Sequence, residues 1–303
     1  MSRRNALLGT LALLLTALPT ASQTPKPASD PAAPAAAISP EDAALLKSAE
    51  AFVRRLFAWG PEIKVKLGPL TQSPAADYYV VPVEVTLNNQ KENGVVYVSK
   101  DGKTLLRGEI FDMHADPFAD NLSKLHLDGS PSKGPADAKV IVVEFADFEC
   151  PHCRELYESL QGIEAKYPQV RFVYENFPLT TIHPWAETAA IGARCAYEQS
   201  PEAFWKVHNA IFEDQDDISP ENVWDKLVSF ATQAGLNGDT FKACLSSADA
   251  QKFVDAEHAA GVALGVDSTP TVYVNGRPLA GGDPQTLVQY IDFELAAQDA
   301  QKK

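Results

Sequence analysis

Apolar residues Leu45, Ala49, Phe52, Val53 and Leu56 recur every three or four positions, which predicts an amphipathic helix over residues 43–59. The pattern then shortens into runs rich in Val, Tyr and Thr. Residues 63–67, 78–87, 95–99 and 104–111 are expected as strands, with Asn93-Gly94 and Asp101-Gly102 as hairpin turns. One helix on a four-stranded antiparallel sheet makes a small α+β domain over 41–115. Residues 116–136 are rich in Asp, Pro, Ser and Gly and read as an interdomain linker. Beyond them, 138–148 reads as a buried strand, 151–165 as a helix and 170–176 as a second strand. Helical patterns fill 184–199, 202–212, 220–234 and 238–264. A strand at 271–274, an Asn275-Gly276 turn and a partner at 278–280 follow. Asp283 is placed to cap a last helix reaching 297, with Pro284 at its first position. The order β-α-β, helices, β-β-α predicts an α/β domain over 137–303 with a helical insertion at about 181–264.

The front of the chain follows another rule. Arg3 and Arg4 precede an apolar run from 6 to 18 and a small-residue stretch to Ser22. This reads as a secretory signal over 1–22, because the run falls short of the roughly 20 residues a spanning helix needs. Residues 23–40 are Ala- and Pro-rich and read as a tether. The mature protein is therefore expected outside the cytoplasm, in the periplasm or beyond, where disulfides persist.

Composition narrows the partners. The chain has 303 residues, 45% of them hydrophobic, which allows two globular domains. A formal charge of −14 argues against nucleic acid or an anionic membrane as the main partner.

There are four cysteines, Cys150, Cys153, Cys195 and Cys244. Cys150-Pro151-His152-Cys153 falls where a strand should end and a helix begin. A thiolate, not a thiol, attacks a disulfide. A helix N-terminus, with its free N–H groups and partial positive charge, favours ionisation of Cys150. Pro151 stiffens the turn, His152 adds charge or a hydrogen bond, and Cys153, further in, is placed to resolve a mixed disulfide. The bland readings are half a zinc site and a structural bond. Zinc needs two more ligands at suitable spacing, and a two-residue loop gains little from closure. Glu144, six positions earlier in the strand, is expected to be partly buried beneath the two sulfurs, with a raised pKa that lets it accept a proton from Cys153. Its alternative is a strand-edge Glu in solvent. Glu149 is expected to be solvated and minor. Thr269-Pro270 precedes a strand, where a cis bond would turn the Thr269 backbone toward the sulfurs and offer it to an extended peptide. Cys195 and Cys244 lie on two helices of the insertion and form the second bond if Cys150 and Cys153 form the first. His183 is placed at the rim of the groove or simply at a helix start. No metal or cofactor is expected.

Together these features resemble the DsbA-like branch of the thioredoxin superfamily, over about 138–297. The resemblance implies Cys150 as nucleophile, Cys153 as resolving cysteine, His152 as thiolate stabiliser, an acid at Glu144 and a cis Pro270. It implies a thiol–disulfide oxidoreductase that oxidises reduced secreted polypeptides and is reoxidised by a quinone-linked membrane partner of the DsbB or vitamin-K-epoxide-reductase type. Thr269 departs from the Val of the best-known oxidases. Residues 95–113 are similar to the end of the dimerisation domain of DsbC- and DsbG-like isomerases, which implies a homodimer acting on misfolded chains. An isomerase or reductase therefore stays open as an alternative, as does a peptide-binding chaperone.

Overall fold

The computed structural model describes residues 39–87, 90–125 and 127–301. The expected signal segment and nearly all of the tether lie outside the described residues. The chain divides into two compact units that meet between Ala115 and Asp116.

In the first unit, helix α1 (Pro40–Leu56) starts at Ser39, whose hydroxyl accepts the Asp42 N–H at 3.0 Å, with Pro40 at the first helical position. Glu41 and Asp42 sit in its first turn and Arg54 and Arg55 in its last, each sign matching the helix dipole. Ala49 and Val53 are buried as expected, but Phe52 and Leu56 are exposed. The sheet has five strands rather than four: β1 (Lys64–Leu67), β2 (Thr71–Gln72), β3 (Tyr78–Leu87), β4 (Gln90–Ser99) and β5 (Leu105–Leu106). Their order is β1-β3-β4-β5, with β2 also on β3. Ladder β3/β4 runs from Tyr78–Ser99 to Leu87–Gln90. Asn93 and Gly94 therefore lie inside β4, opposite Glu84 and Val83, and are not a turn. Val81, Val83 and Val85 alternate onto the core face, and Val96 and Val98 meet them there. A shift of one residue would expose the whole set, so the valines and not the Asn-Gly pair fix the register. The Asp101-Gly102 turn is present, with Gly102 at φ 71°. The strand expected over 104–111 shrinks to two residues and is followed by Gly108 at φ 147°.

The second unit absorbs the expected linker. Residues 116–136 contain helix α2 (Ala119–Lys124) and strand β6 (Ser132–Lys133). Leu125 is buried against Val143, Phe145 and Val173, and Asn121 donates to the Gly276 carbonyl at 3.0 Å. Polar composition suggested a linker, yet spaced leucines suffice to dock the segment. Strand β7 (Ile141–Ala146), helix α3 (Pro151–Lys166) and strand β8 (Arg171–Asn176) form the β-α-β start. Five helices are inserted next: α4 (Ala186–Gln199), α5 (Pro201–Glu213), α6 (Val223–Gln233), α7 (Gly238–Leu245) and α8 (Ala248–Ala263). The single helix expected over 238–264 is two, because Ser247 caps α8 by accepting the Ala250 N–H. Strands β9 (Thr271–Val274) and β10 (Arg277–Ala280) and helix α9 (Pro284–Gln301) complete the chain, and Asp283 accepts the Thr286 N–H as the expected cap.

The sheet order is β10-β9-β7-β8-β6, with β7 and β8 parallel and the other pairs antiparallel. Alternation along β7 sends Val142 toward α3 and α9 and sends Val143 and Phe145 to the other face. There α8 lies close, because Gly261 carries no Cβ; one would come within 2.7 Å of Phe177. This is the expected α/β scaffold with a helical insertion, preceded by a small α+β unit. Beyond the C-terminal edge of β7, the loop to α3 is wedged between sheet and insertion.

Candidate active site

Cys150 is the N-cap of α3, with extended backbone (φ −74°, ψ 121°), and Pro151 opens the helix. Both Cys150 and Cys153 are buried free thiols. The Cys150 thiol is pushed down to about 5. The main cause is a hydrogen bond from the Cys153 thiol; burial opposes it, and the Thr269 side chain and the Cys153 and His152 N–H groups add to it. The Thr269 hydroxyl is buried without another hydrogen-bond partner, which leaves it to donate to the Cys150 sulfur. Cys153 moves the other way, held well above the usual thiol range by burial, then by Cys150 and the Glu144 charge. The two sulfurs are pushed in opposite directions, Cys150 toward the thiolate and Cys153 toward the thiol.

The Thr269–Pro270 bond is cis, and the Thr269 carbonyl accepts from Cys150 Sγ at 3.4 Å. His152 contributes chiefly through its backbone N–H. Its ring is 72% exposed and pairs with Glu155 Oε2 at 3.0 Å, which raises its pKa. Glu144 is buried, and burial pushes it up to about 8, helped by Glu164 and opposed by Lys133. Its Oε1 has no partner. It lines a cavity of about 40 Å³ with Tyr157, Tyr174, His208 and the Lys133–Glu164 ion pair. That is room for a water, and the Lys133–Glu164 pair reaches solvent. A strand-edge Glu in solvent is ruled out.

Three features of the site go beyond the sequence reading or correct it. Gln215, from the short turn after α5, donates to the carbonyls of Phe148 at 2.7 Å and Cys150 at 3.1 Å. It fastens the active loop to the insertion, and nothing in its sequence context marks it. Glu149 is half-buried and engaged: its Oε2 accepts the Trp185 N–H at 2.7 Å, and burial raises its pKa. His183 Nδ1 lies 2.7 Å from Asp147 Oδ2, while the Asp147 N–H reaches Cys153 Sγ at 3.4 Å. Cys195 and Cys244 are joined, which ties α4 to α7. Beside Cys150, a cleft of about 510 Å³ runs between α3 and the Pro270 loop, lined by Glu155, Leu156, Pro270 and Gly282 among others.

A family model described as thioredoxin matches residues 127–293, over half of the chain. The probable disulfide bond formation protein D of Bacillus cereus is 31% identical over 171 residues, covering 54% of this chain and 78% of that protein. The crystal structure of oxidised BdbD from Bacillus subtilis superposes with a TM-score of 0.52 at 26% identity, covering 56% of this chain and 95% of that one. A Na(+)/H(+) antiporter, NhaA 3 of Salinispora tropica, is 36% identical over 145 residues. The match takes in 48% of this chain but only 21% of the antiporter's length.

Proposed function

The chain belongs to the thioredoxin family, and from that premise we propose that it is an extracytoplasmic thiol–disulfide oxidoreductase that introduces disulfides into secreted polypeptides. The observation that carries this reading is the placement of the two thiols: Cys150 caps α3 with its sulfur 3.4 Å from the Thr269 carbonyl and Cys153 is buried behind it, which pushes Cys150 toward the thiolate and Cys153 away from it. A thiolate stabilised in the reduced protein makes the disulfide a stronger oxidant. In the oxidised protein a substrate thiolate bonds to Cys150 Sγ. The Cys150–Cys153 bond breaks, its electron pair passes to Cys153 Sγ, and Cys153 takes a proton from Glu144. A second substrate thiolate then attacks the substrate sulfur of the mixed disulfide. The substrate leaves oxidised, and Cys150 leaves as the thiolate its surroundings favour.

Pro151 sets the turn, and the cis Thr269–Pro270 segment presents backbone to an extended substrate. Reoxidation falls to a quinone-linked membrane partner of the DsbB or vitamin-K-epoxide-reductase type. The basic and apolar start at 1–22 supports export. Thiol trapping of Cys150 and Cys153 in the intact compartment tests the direction: the oxidase requires a mostly oxidised pair.

Thr269 before the cis proline favours a second reading, a disulfide isomerase or reductase kept reduced by a membrane donor. In it, the first unit pairs two chains around misfolded substrate. A mostly reduced pair supports it, and a monomer in sedimentation at all concentrations removes the pairing. A peptide-binding chaperone would keep its full activity in Cys150→Ala; the oxidoreductase would lose it.

A further inference from the structure

When the disulfide opens, charge appears on Cys153 before the proton from Glu144 reaches it, and the nearest backbone donor to that sulfur is the Asp147 N–H, 3.4 Å away. Asp147 follows β7, and its carboxylate is fully buried. A buried carboxylate is costly unless donors surround it. Three do. The Glu149 N–H reaches Oδ1 at 2.7 Å, while the Leu179 N–H and His183 Nδ1 reach Oδ2, each at 2.7 Å. Two of the three come from the loop after β8. Residue 147 is thus held from two sides, and its own N–H points at Cys153 Sγ, 3.4 Å away. That N–H favours the Cys153 thiolate, against burial and the charges of Cys150 and Glu144.

We infer that Asp147 and His183 are a positioning pair for Cys153: His183 anchors the Asp147 carboxylate, which keeps the Asp147 N–H aimed at the sulfur that leaves when the disulfide is attacked. This rests on the reading of Cys150 as the attacked sulfur. The pair acts on one half of the reaction. A thiolate bonds to Cys150, the Cys150–Cys153 bond breaks, and the electron pair arrives on Cys153 beside that N–H. The reverse step, Cys153 attacking the mixed disulfide, passes through the same charge distribution and is affected equally. Alkylation of Cys150 in the reduced protein places no charge on Cys153 and is not affected.

The experiment uses the full oxidised chain and glutathione as the attacking thiol. In His183→Ala and Asp147→Asn, opening of the disulfide slows about tenfold. His183→Asn, whose amide replaces Nδ1 as donor, restores the rate to within about twofold. Iodoacetamide alkylation of reduced Cys150, and its pH midpoint, stay as in the unaltered protein. Unchanged opening in a folded His183→Ala overturns the inference. So does an equal loss of Cys150 alkylation, which marks a general loosening. If His183→Ala does not fold, His183→Asn against His183→Gln carries the comparison, with Gln expected to be the slow variant and equal rates overturning the pair. If the unaltered protein forms no mixed disulfide at Cys150, the proposed function itself fails and takes this inference with it. Normal mixed-disulfide formation with unaffected variants removes the positioning pair alone.

Discussion

The two units of this chain bury different things. The core of the first is Val53, Val81, Val83, Val85, Val96, Val98 and their neighbours. Its buried polar side chains among the described residues are Ser73 and Ser99, and each hydroxyl accepts a nearby backbone N–H. The second unit buries Glu144, Asp147, Glu175, Asn176, His208, Gln215, Glu257 and Thr269. Burying a carboxyl costs free energy unless it is paired or keeps its proton. The first unit uses its burial to hold a shape. The second accepts groups whose protonation matters. Not all of them touch the sulfurs. Glu175 is raised to about 7 and Glu257 also moves up, burial being the main cause in each. The electron and proton transfers among Cys150, Cys153 and Glu144 use neither.

The largest test of this contrast is Cys150→Ser. The first unit holds no cysteine, so the variant should lose exchange with glutathione by more than about a thousandfold while both units unfold as before. Residual activity in it would break the contrast outright. Next is the bond between Cys195 and Cys244, which spans 49 residues within the insertion. Replacing both by Ala should cost about 4 kcal/mol in the chain-entropy model, read by urea denaturation. Exchange should persist wherever the variant remains folded, since neither residue is among the causes that set the ionisation of Cys150 or Cys153.

Glu144→Gln comes third and separates stability from chemistry. The carboxyl is raised from 4.5 to about 8 in the folded protein. The fold therefore binds the extra proton between those values, and its stability falls as pH rises from 4.5, the loss being complete above 8. Gln removes this penalty. The variant should match the parent below pH 4 and exceed it at pH 9 by about 2 kcal/mol or more, while exchange slows about a hundredfold. Cys150 has the opposite sign. Its thiolate stabilises the reduced fold fully above 9, and that contribution is lost as pH falls toward 5. Only the reduced protein carries it. Thiolate absorbance of reduced protein should titrate near 5. Thr269→Val should move the midpoint upward, since the Thr269 side chain is one of the groups that lower it.

Much of this site was legible in the sequence. Cys150, Pro151 and Cys153 sit where a strand pattern gives way to a helical one. Glu144 stands out as an acid inside an apolar run, and Pro270 directly precedes a strand. These signals are local. What stayed hidden is long-range: Gln215 reaches back 65 residues to Cys150, and His183 reaches 36 to Asp147. A polar residue in a polar loop gives no sign that its partner is buried. The misplaced Asn93-Gly94 turn has the reverse cause. The local signal was strong, and the valine face overruled it. Glu149 was misread because an acid beside a nucleophile looks unfavourable until the Trp185 N–H arrives from the insertion.

The smallest expected effect tests the contrast from the quiet side. Val81 is fully buried in the first unit, between the ladder and α1. Val81→Ala removes two methyl groups from that core and should cost about 1–3 kcal/mol of the unit's stability, seen as an earlier first transition in urea. The glutathione reaction should stay within about twofold of the parent. The groups that set the two sulfurs apart are Thr269, His152, Glu144, Asp147 and the sulfurs themselves, all in the second unit. A loss of exchange in Val81→Ala, with Cys150 still titrating near 5, would mean that the valine sheet helps deliver substrate to the sulfurs, and the division between shape and chemistry would have to be redrawn.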